Sequence, residues 1–270
     1  MTTYLDHILV AHRETASLDG RLLEGLLDSA SSGEPPRGFI QALAGGTSDE
    51  IAVIAEVKRR SPSRGDLDTG LDPAIVAGQY ATGGAACLSV LTDESFFGGS
   101  AGDLRAARLA VDLPVLRKDF TVDARDVCDA RIMGADAVLL IVAALDDQEM
   151  ADFYALSTEL GMDTLVEVHD ESELERALAI GASLVGVNQR DLVTFEVDPG
   201  RATRMAPLIP EGVVRVAESG IKDKATAVAL KQAGYHALLV GESLVTAGDR
   251  AAAVRALCQS VGDRTAGDPD

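Results

Sequence analysis

Eight times between residues 51 and 260 a short apolar run gives way to a polar loop and then to an amphipathic stretch, and no other feature constrains the fold as tightly. The runs occupy 51–58, 86–92, 114–118, 136–142, 164–168, 184–188, 213–217 and 237–241. Between and after them, apolar residues at helical spacing predict helices over 73–82, 101–111, 124–133, 146–160, 171–180, 199–209, 222–233 and 250–260. Gly134, Gly161, Gly181 and Gly234 each stand between a helix and the next strand, where a C-capping glycine belongs. Such alternation implies a parallel sheet with right-handed crossovers. Eight units of about 20–35 residues match an α/β protein of the (β/α)8 TIM-barrel class. An open doubly wound sheet is the competing architecture, but it would want a glycine-rich turn after the first strand, and none is present.

Before the first run, Tyr4-Leu5, Ile8-Leu9, Leu22-Leu23 and Leu26-Leu27 recur at helical spacing, and Phe39-Ile40 with Leu43 suggests one more short helix. Residues 1–48 are therefore expected to be a helical extension packed on a barrel of residues 49–261, with 262–270 a frayed polar tail. A length of 270 residues suits one barrel, and 47% hydrophobic content supplies its core. The formal charge of −19 argues against nucleic acid and anionic membranes as partners, while leaving room for a small anion in a local basic pocket. No run of about 18 apolar residues and no secretory leader pattern is present. The three cysteines are widely spaced, odd in number and without a C-x-x-C pair, as expected of a cytoplasmic protein. A monomer is the expectation, with an oligomer left open. Lysine is rare, five against nineteen arginines, so Lys58 and Lys118 inside apolar runs stand out.

In such a barrel the chemistry gathers at the C-terminal ends of the strands. Those ends carry Glu56 and Lys58, Lys118-Asp119-Phe120, Glu167-Val168-His169, Asn188-Gln189-Arg190, Glu218-Ser219-Gly220 and Gly241-Glu242-Ser243, with Phe96-Phe97 after the second run. Glu56 and Lys58 share one strand face with Ala52 and Ile54, and an acid and a base there are costly to bury without purpose. Each alone could be a structural ion pair. Together, two lysines facing two or three glutamates suit acid–base chemistry, burial being expected to lower a lysine's pKa and to raise a glutamate's. Ser219-Gly220 and Gly241-Glu242-Ser243 are small-residue turns leading into helices, where barrels commonly seat a phosphate on backbone N–H groups; simple helix caps would look the same. Glu242 is awkward beside an anion, so its side chain is expected to point away. His169 is set aside as a loop histidine. No His, Cys and Asp cluster has metal-ligand spacing, so no metal is expected.

The stretch Ile54-Ala-Glu-Val-Lys-Arg-Arg-Ser-Pro-Ser-Arg-Gly65 resembles the signature of the indole-3-glycerol-phosphate synthase family. The likeness continues through Pro114-Val-Leu-Arg-Lys-Asp-Phe120, Gly186-Val-Asn-Gln-Arg-Asp-Leu192, Ala217-Glu-Ser-Gly-Ile221 and Leu239-Val-Gly-Glu-Ser243, in order along 51–258. The resemblance implies a lyase of tryptophan biosynthesis without cofactor or metal. Its substrate would be 1-(2-carboxyphenylamino)-1-deoxyribulose 5-phosphate, cyclised with loss of CO2 and water. Lys118 would be the general acid on the carbonyl, Glu167 an acid/base in the dehydration, and Lys58 a contact to the substrate carboxylate. Glu56 would hold both lysines, and Asn188 and Ser219 would orient ring and hydroxyls. Ser61, Pro62, Phe97, Phe120, Leu139, Arg190, Leu192, Glu218 and Leu239 would bind substrate, and Ser219, Gly220, Gly241 and Glu242 its phosphate. Two alternatives stand beside this: another phosphate-binding barrel such as phosphoribosylanthranilate isomerase, which would want a cysteine at the end of the first strand, and a non-catalytic metabolite-binding barrel.

Overall fold

A computed structural model describes residues 3–44, 50–62 and 64–258. Eight barrel strands follow in chain order: β1 (Ala52–Val57), β2 (Cys87–Leu91), β3 (Val115–Lys118), β4 (Ala137–Ile141), β5 (Asp163–Val168), β6 (Leu184–Asn188), β7 (Val214–Glu218) and β8 (Ala237–Val240). All pair in parallel and close on themselves in the order β1-β8-β7-β6-β5-β4-β3-β2. The chain is a TIM barrel. Helices cover the outer face of each strand, so both faces are buried and the strands read as continuous apolar runs. Ile54, Leu116, Leu165 and Leu184 are among the fully buried side chains of the core.

Helix starts explain part of the acidic composition. Asp72, Asp123, Asp146, Asp170 and Asp223 each cap a helix by accepting backbone N–H groups of the first turn. An N-cap of this kind contributes about 1 kcal/mol. The helix expected over 199–209 is instead Arg201–Met205 followed by a 3-10 turn, Ala206–Leu208. Pro207 has no N–H to continue α-helical bonding, which accounts for the change. The polar loop after β1 is a tight hairpin, pairing Arg60 with Asp66 and Ser61 with Gly65.

Among the described residues three helices precede β1: α1 (Tyr4–Leu18), α2 (Leu23–Ser31) and α3 (Phe39–Ala44). α3 plugs the barrel at the N-terminal ends of its strands. Phe39 is fully buried there, and the Ile40 N–H donates to Asp163 Oδ2 at 2.8 Å. α1 lies at the opposite end, where Tyr4, Leu5 and Ile8 face the barrel mouth. No helix among the described residues is long and apolar enough to cross a membrane. The tail expected at 262–270 lies outside the described residues.

Candidate active site

Strand register, before any side chain is considered, brings the ionisable groups to one level. Crossing two hydrogen-bonded strands from Glu56 leads through Ser89 to Leu116, and Lys118 stands two residues above it. The same step leads from Lys118 to Glu167, from Glu167 through Gly186 and Val216 to Glu218, and from Glu218 through Leu239 and Ile54 back to Glu56. Four steps of two residues make up the barrel's shear of eight, so Glu56, Lys118, Glu167 and Glu218 form one layer, contributed by alternate strands. The even strands supply the interleaved layer of Leu91, Ile141, Asn188 and Gly241 by the same rule.

The side chains complete this ring. Lys118 Nζ donates to Glu167 Oε2 at 3.1 Å and lies 3.9 Å from Glu218 Oε2. Asn188 Nδ2 donates to Glu167 Oε1 at 3.0 Å, and Lys58 pairs with Glu56. At two points the present arrangement of carboxyls leaves no room for a side chain larger than glycine's. A Cβ on Gly186 would collide with the Glu218 carboxyl, and one on Gly241 would collide with that of Glu56. Gly241 therefore makes room for the Glu56–Lys58 pair, whatever else its turn binds.

The charge states differ from the sequence expectation in sign. Burial opposes the Lys118 charge, but Glu167, Glu218 and Glu56 outweigh it and hold the ammonium well above its ordinary range. Glu167 is likewise opposed by burial, yet Lys118 and His169 keep its carboxyl below the usual value. Glu218 alone moves as burial dictates: desolvation and then the neighbouring Glu167 charge raise it well above the carboxylate range. The ring thus sets an ammonium and an ionised carboxylate beside a carboxyl that holds its proton well above the usual carboxylate range.

Above the ring a cavity of about 1160 Å³ opens at the C-terminal mouth, ample for a substrate with several waters. It gathers every site residue expected from the sequence. Its apolar lining includes Phe97 and Phe120, with ring centroids 6.2 Å apart, together with Pro62, Leu139, Leu192 and Leu239. Ser61, Ser219, Gly220, Gly241 and Glu242 line it as well. Ser219 takes a left-handed φ of 66° and Gly220 follows at 73°, a strained reversal of the kind found where backbone meets ligand. Arg190 also lines the cavity, with its Nη1 donating to the Phe195 carbonyl at 3.0 Å. Glu242 does not point away as expected. Its carboxylate meets Arg64 Nε at 3.1 Å, tying the hairpin to the β8 turn across the cavity rim. Of the chain's five lysines, Lys58, Lys118 and Lys222 line this cavity, set among a larger number of acidic side chains.

Several participants escaped the sequence reading. Tyr4 and Ile8 of α1, Arg64, Phe195 and Lys222 line the cavity. The spacing of Tyr4 and Ile8 announced a buried helix face but not what it would cover. His169 was set aside, yet it lies against Glu167 with Nε2 3.5 Å from Oε1. His12, Asp93 and Asp119 also converge, although their sequence spacing gave no sign of it. Their donors are already engaged. Asp93 accepts from His12 and the Phe96 and Phe97 N–H groups, and Asp119 accepts from Arg117 and the Phe120 N–H. The trio works as a clasp between α1 and the barrel. None of the three cysteines lines the cavity, and the end of β1 carries the Glu56–Lys58 pair, which disfavours the isomerase alternative.

A family model described as indole-3-glycerol phosphate synthase matches residues 7–257. An indole-3-glycerol phosphate synthase of Nocardioides sp. is 51% identical over 247 residues, covering 91% of this chain and 92% of that protein. One from Paenarthrobacter aurescens is 49% identical over 248 residues, covering 90% and 91% respectively. Among solved structures, thiamine phosphate pyrophosphorylase from Pyrococcus furiosus superposes with a TM-score of 0.57 at 15% identity, covering 77% of this chain and 93% of that one, a likeness of fold alone.

Proposed function

The chain belongs to the indole-3-glycerol phosphate synthase family, and from that premise we propose how its cavity divides the work of ring closure, decarboxylation and dehydration. The protein is a carboxy-lyase of tryptophan biosynthesis acting on a phosphorylated small molecule. In our reading the aromatic ring of 1-(2-carboxyphenylamino)-1-deoxyribulose 5-phosphate lies against Phe97, Phe120 and the leucines. Its phosphate meets the Ser219-Gly220 and Gly241-Glu242 turns, with Ser61 and Arg190 nearby. The substrate carboxylate faces Lys58.

As the ring carbon attacks the ribulose carbonyl, negative charge grows on the carbonyl oxygen and Lys118 transfers a proton to it. An ammonium held this tightly by carboxylates is a poor acid toward a ketone but a competent one toward a developing alkoxide, a much stronger base. Proton transfer is thus matched to the transition state rather than to the ground state. Loss of CO2 restores the aromatic ring. In the dehydration Glu167, already ionised, accepts the departing proton while Lys58 supplies one to the leaving hydroxyl. Glu56 and Glu218 position the lysines, and Asn188 and Ser219 orient the substrate. The single observation that carries this division is the 3.1 Å Lys118–Glu167 contact inside a layer whose other members are Glu56 and Glu218.

The same proposal takes the helices within 1–48 as an extension of the 49–261 barrel, because α3 plugs its floor and α1 lines its mouth. A cytoplasmic location, supported by the three unpaired cysteines, and a monomeric state complete it. The acid/base role of Glu167 is tested by rapid-quench sampling of Glu167→Gln. Ring closure and CO2 release are expected to proceed, with a hydroxylated, pre-indole species accumulating. Indole formation at the wild-type rate would remove Glu167 from the mechanism.

A further inference from the structure

The imidazole of His169 is held in one orientation from behind. Its Nδ1 lies 3.0 Å from Glu173 Oε2, and the same oxygen accepts the His169 backbone N–H at 2.7 Å. Glu173 is itself fixed in the first turn of the helix Glu171–Ala179, where Asp170 caps its N–H. A carboxylate at Nδ1 requires the proton there, so Nε2 either carries a second proton or presents a bare lone pair. Nε2 is buried and has no hydrogen-bond partner. Buried polar atoms without partners are uncommon and call for an explanation. The nearest candidate is Glu167 Oε1 at 3.5 Å, the oxygen that also accepts from Asn188.

We propose that His169, oriented by Glu173, is a positioning residue that fixes the charge state of Glu167 through Nε2, setting the pH range in which Glu167 works as a base. This rests on the reading that Glu167 is the proton-transfer carboxylate. Orienting carboxylate, imidazole and working group stand in line, the arrangement by which a third group commonly tunes an active one. With both nitrogens protonated, Nε2–H faces the Glu167 carboxylate and keeps it ionised. With Nε2 bare, Glu167 loses a neighbouring cation and meets a lone pair instead. Groups on every packed element enter the balance. Glu167 on β5 and Glu173 on its helix favour the imidazolium, and Arg201, on the helix Arg201–Met205, opposes it. Lys118 on β3 and Glu218 on β7 act on the Glu167 side.

Linkage makes the pairing reciprocal, so it is readable without turnover. Histidine-labelled protein titrated by NMR should show His169 losing about tenfold in proton affinity in Glu167→Gln, with His7, His12 and His236 unmoved. In activity, His169→Gln keeps a donor near Nε2 but cannot be charged, and Glu173→Gln keeps the ring but removes its anion. His169→Gln is expected to move the acid limb of kcat to higher pH, with KM within about twofold, and Glu173→Gln to lower the proton affinity of His169 in the same NMR titration. An unchanged His169 titration in Glu167→Gln or Glu173→Gln, or a wild-type pH profile in folded His169→Gln, would overturn the proposal. If the NMR coupling is present while Glu167→Gln turns over normally, the pairing stands and the catalytic reading of Glu167 falls.

Discussion

At the residue scale the informative quantity is which of two neighbouring glutamates holds its proton more tightly. Glu167 and Glu218 are both buried at one level of the barrel, and burial alone would raise both. Glu167 escapes because Lys118 sits 3.1 Å from one oxygen and Asn188 3.0 Å from the other. Glu218 has only the outer reach of Lys118, at 3.9 Å, and faces the charge of Glu167. A protonated carboxyl and a carboxamide have nearly the same shape and charge. Glu218→Gln is therefore expected to lower kcat by less than about tenfold, at the low end of acid–base effects. A loss there as large as that in Glu167→Gln, measured in the same assay, would mean that Glu218 works as an ion. The sequence named these residues but not their signs, because a sign depends on differences of under an ångström between partners far apart in the chain.

At the scale of elements, the barrel was legible because strand and helix periodicities repeat eight times and glycines mark the helix ends. All four capping glycines singled out in the sequence take left-handed φ values, between 77° and 96°. The expected strand bounds differ from the observed ones by a residue at most ends, as β7 illustrates: 213–217 against Val214–Glu218. The extension was legible as helices but not as a cover. Apolar stripes at Tyr4 and Ile8 report that a face is buried and say nothing of its target. What fixes that target is long-range: His12 on Asp93, Tyr4 edge-on to Phe195, and Arg13 on Glu149. The hairpin after β1 was read as a loop because its strands are only two residues each, below any periodicity, and depend on Gly65 at φ 71° to turn.

At the scale of the whole molecule, a formal charge of −19 is carried by a barrel whose binding cavity is basic in places. Net repulsion of that size destabilises the compact state and is screened by salt. Exposed ion pairs such as Arg60–Asp66 and Arg204–Asp198 weaken in salt, but pairs this open to solvent contribute little to stability. The repulsion therefore dominates, and unfolding midpoints are expected to rise from low to molar KCl; a flat or falling series would refute this. The site is insulated from the acidic surface by its depth, which is why Lys118 can be the hub of the account. Release of indole-3-glycerol phosphate, followed by indole fluorescence after supplying the aminodeoxyribulose phosphate to wild type and Lys118→Ala, addresses that hub directly. With the fold verified by circular dichroism, the account predicts a fall in kcat of about 10²–10⁴-fold for Lys118→Ala. Near-normal turnover in the folded variant would contradict it.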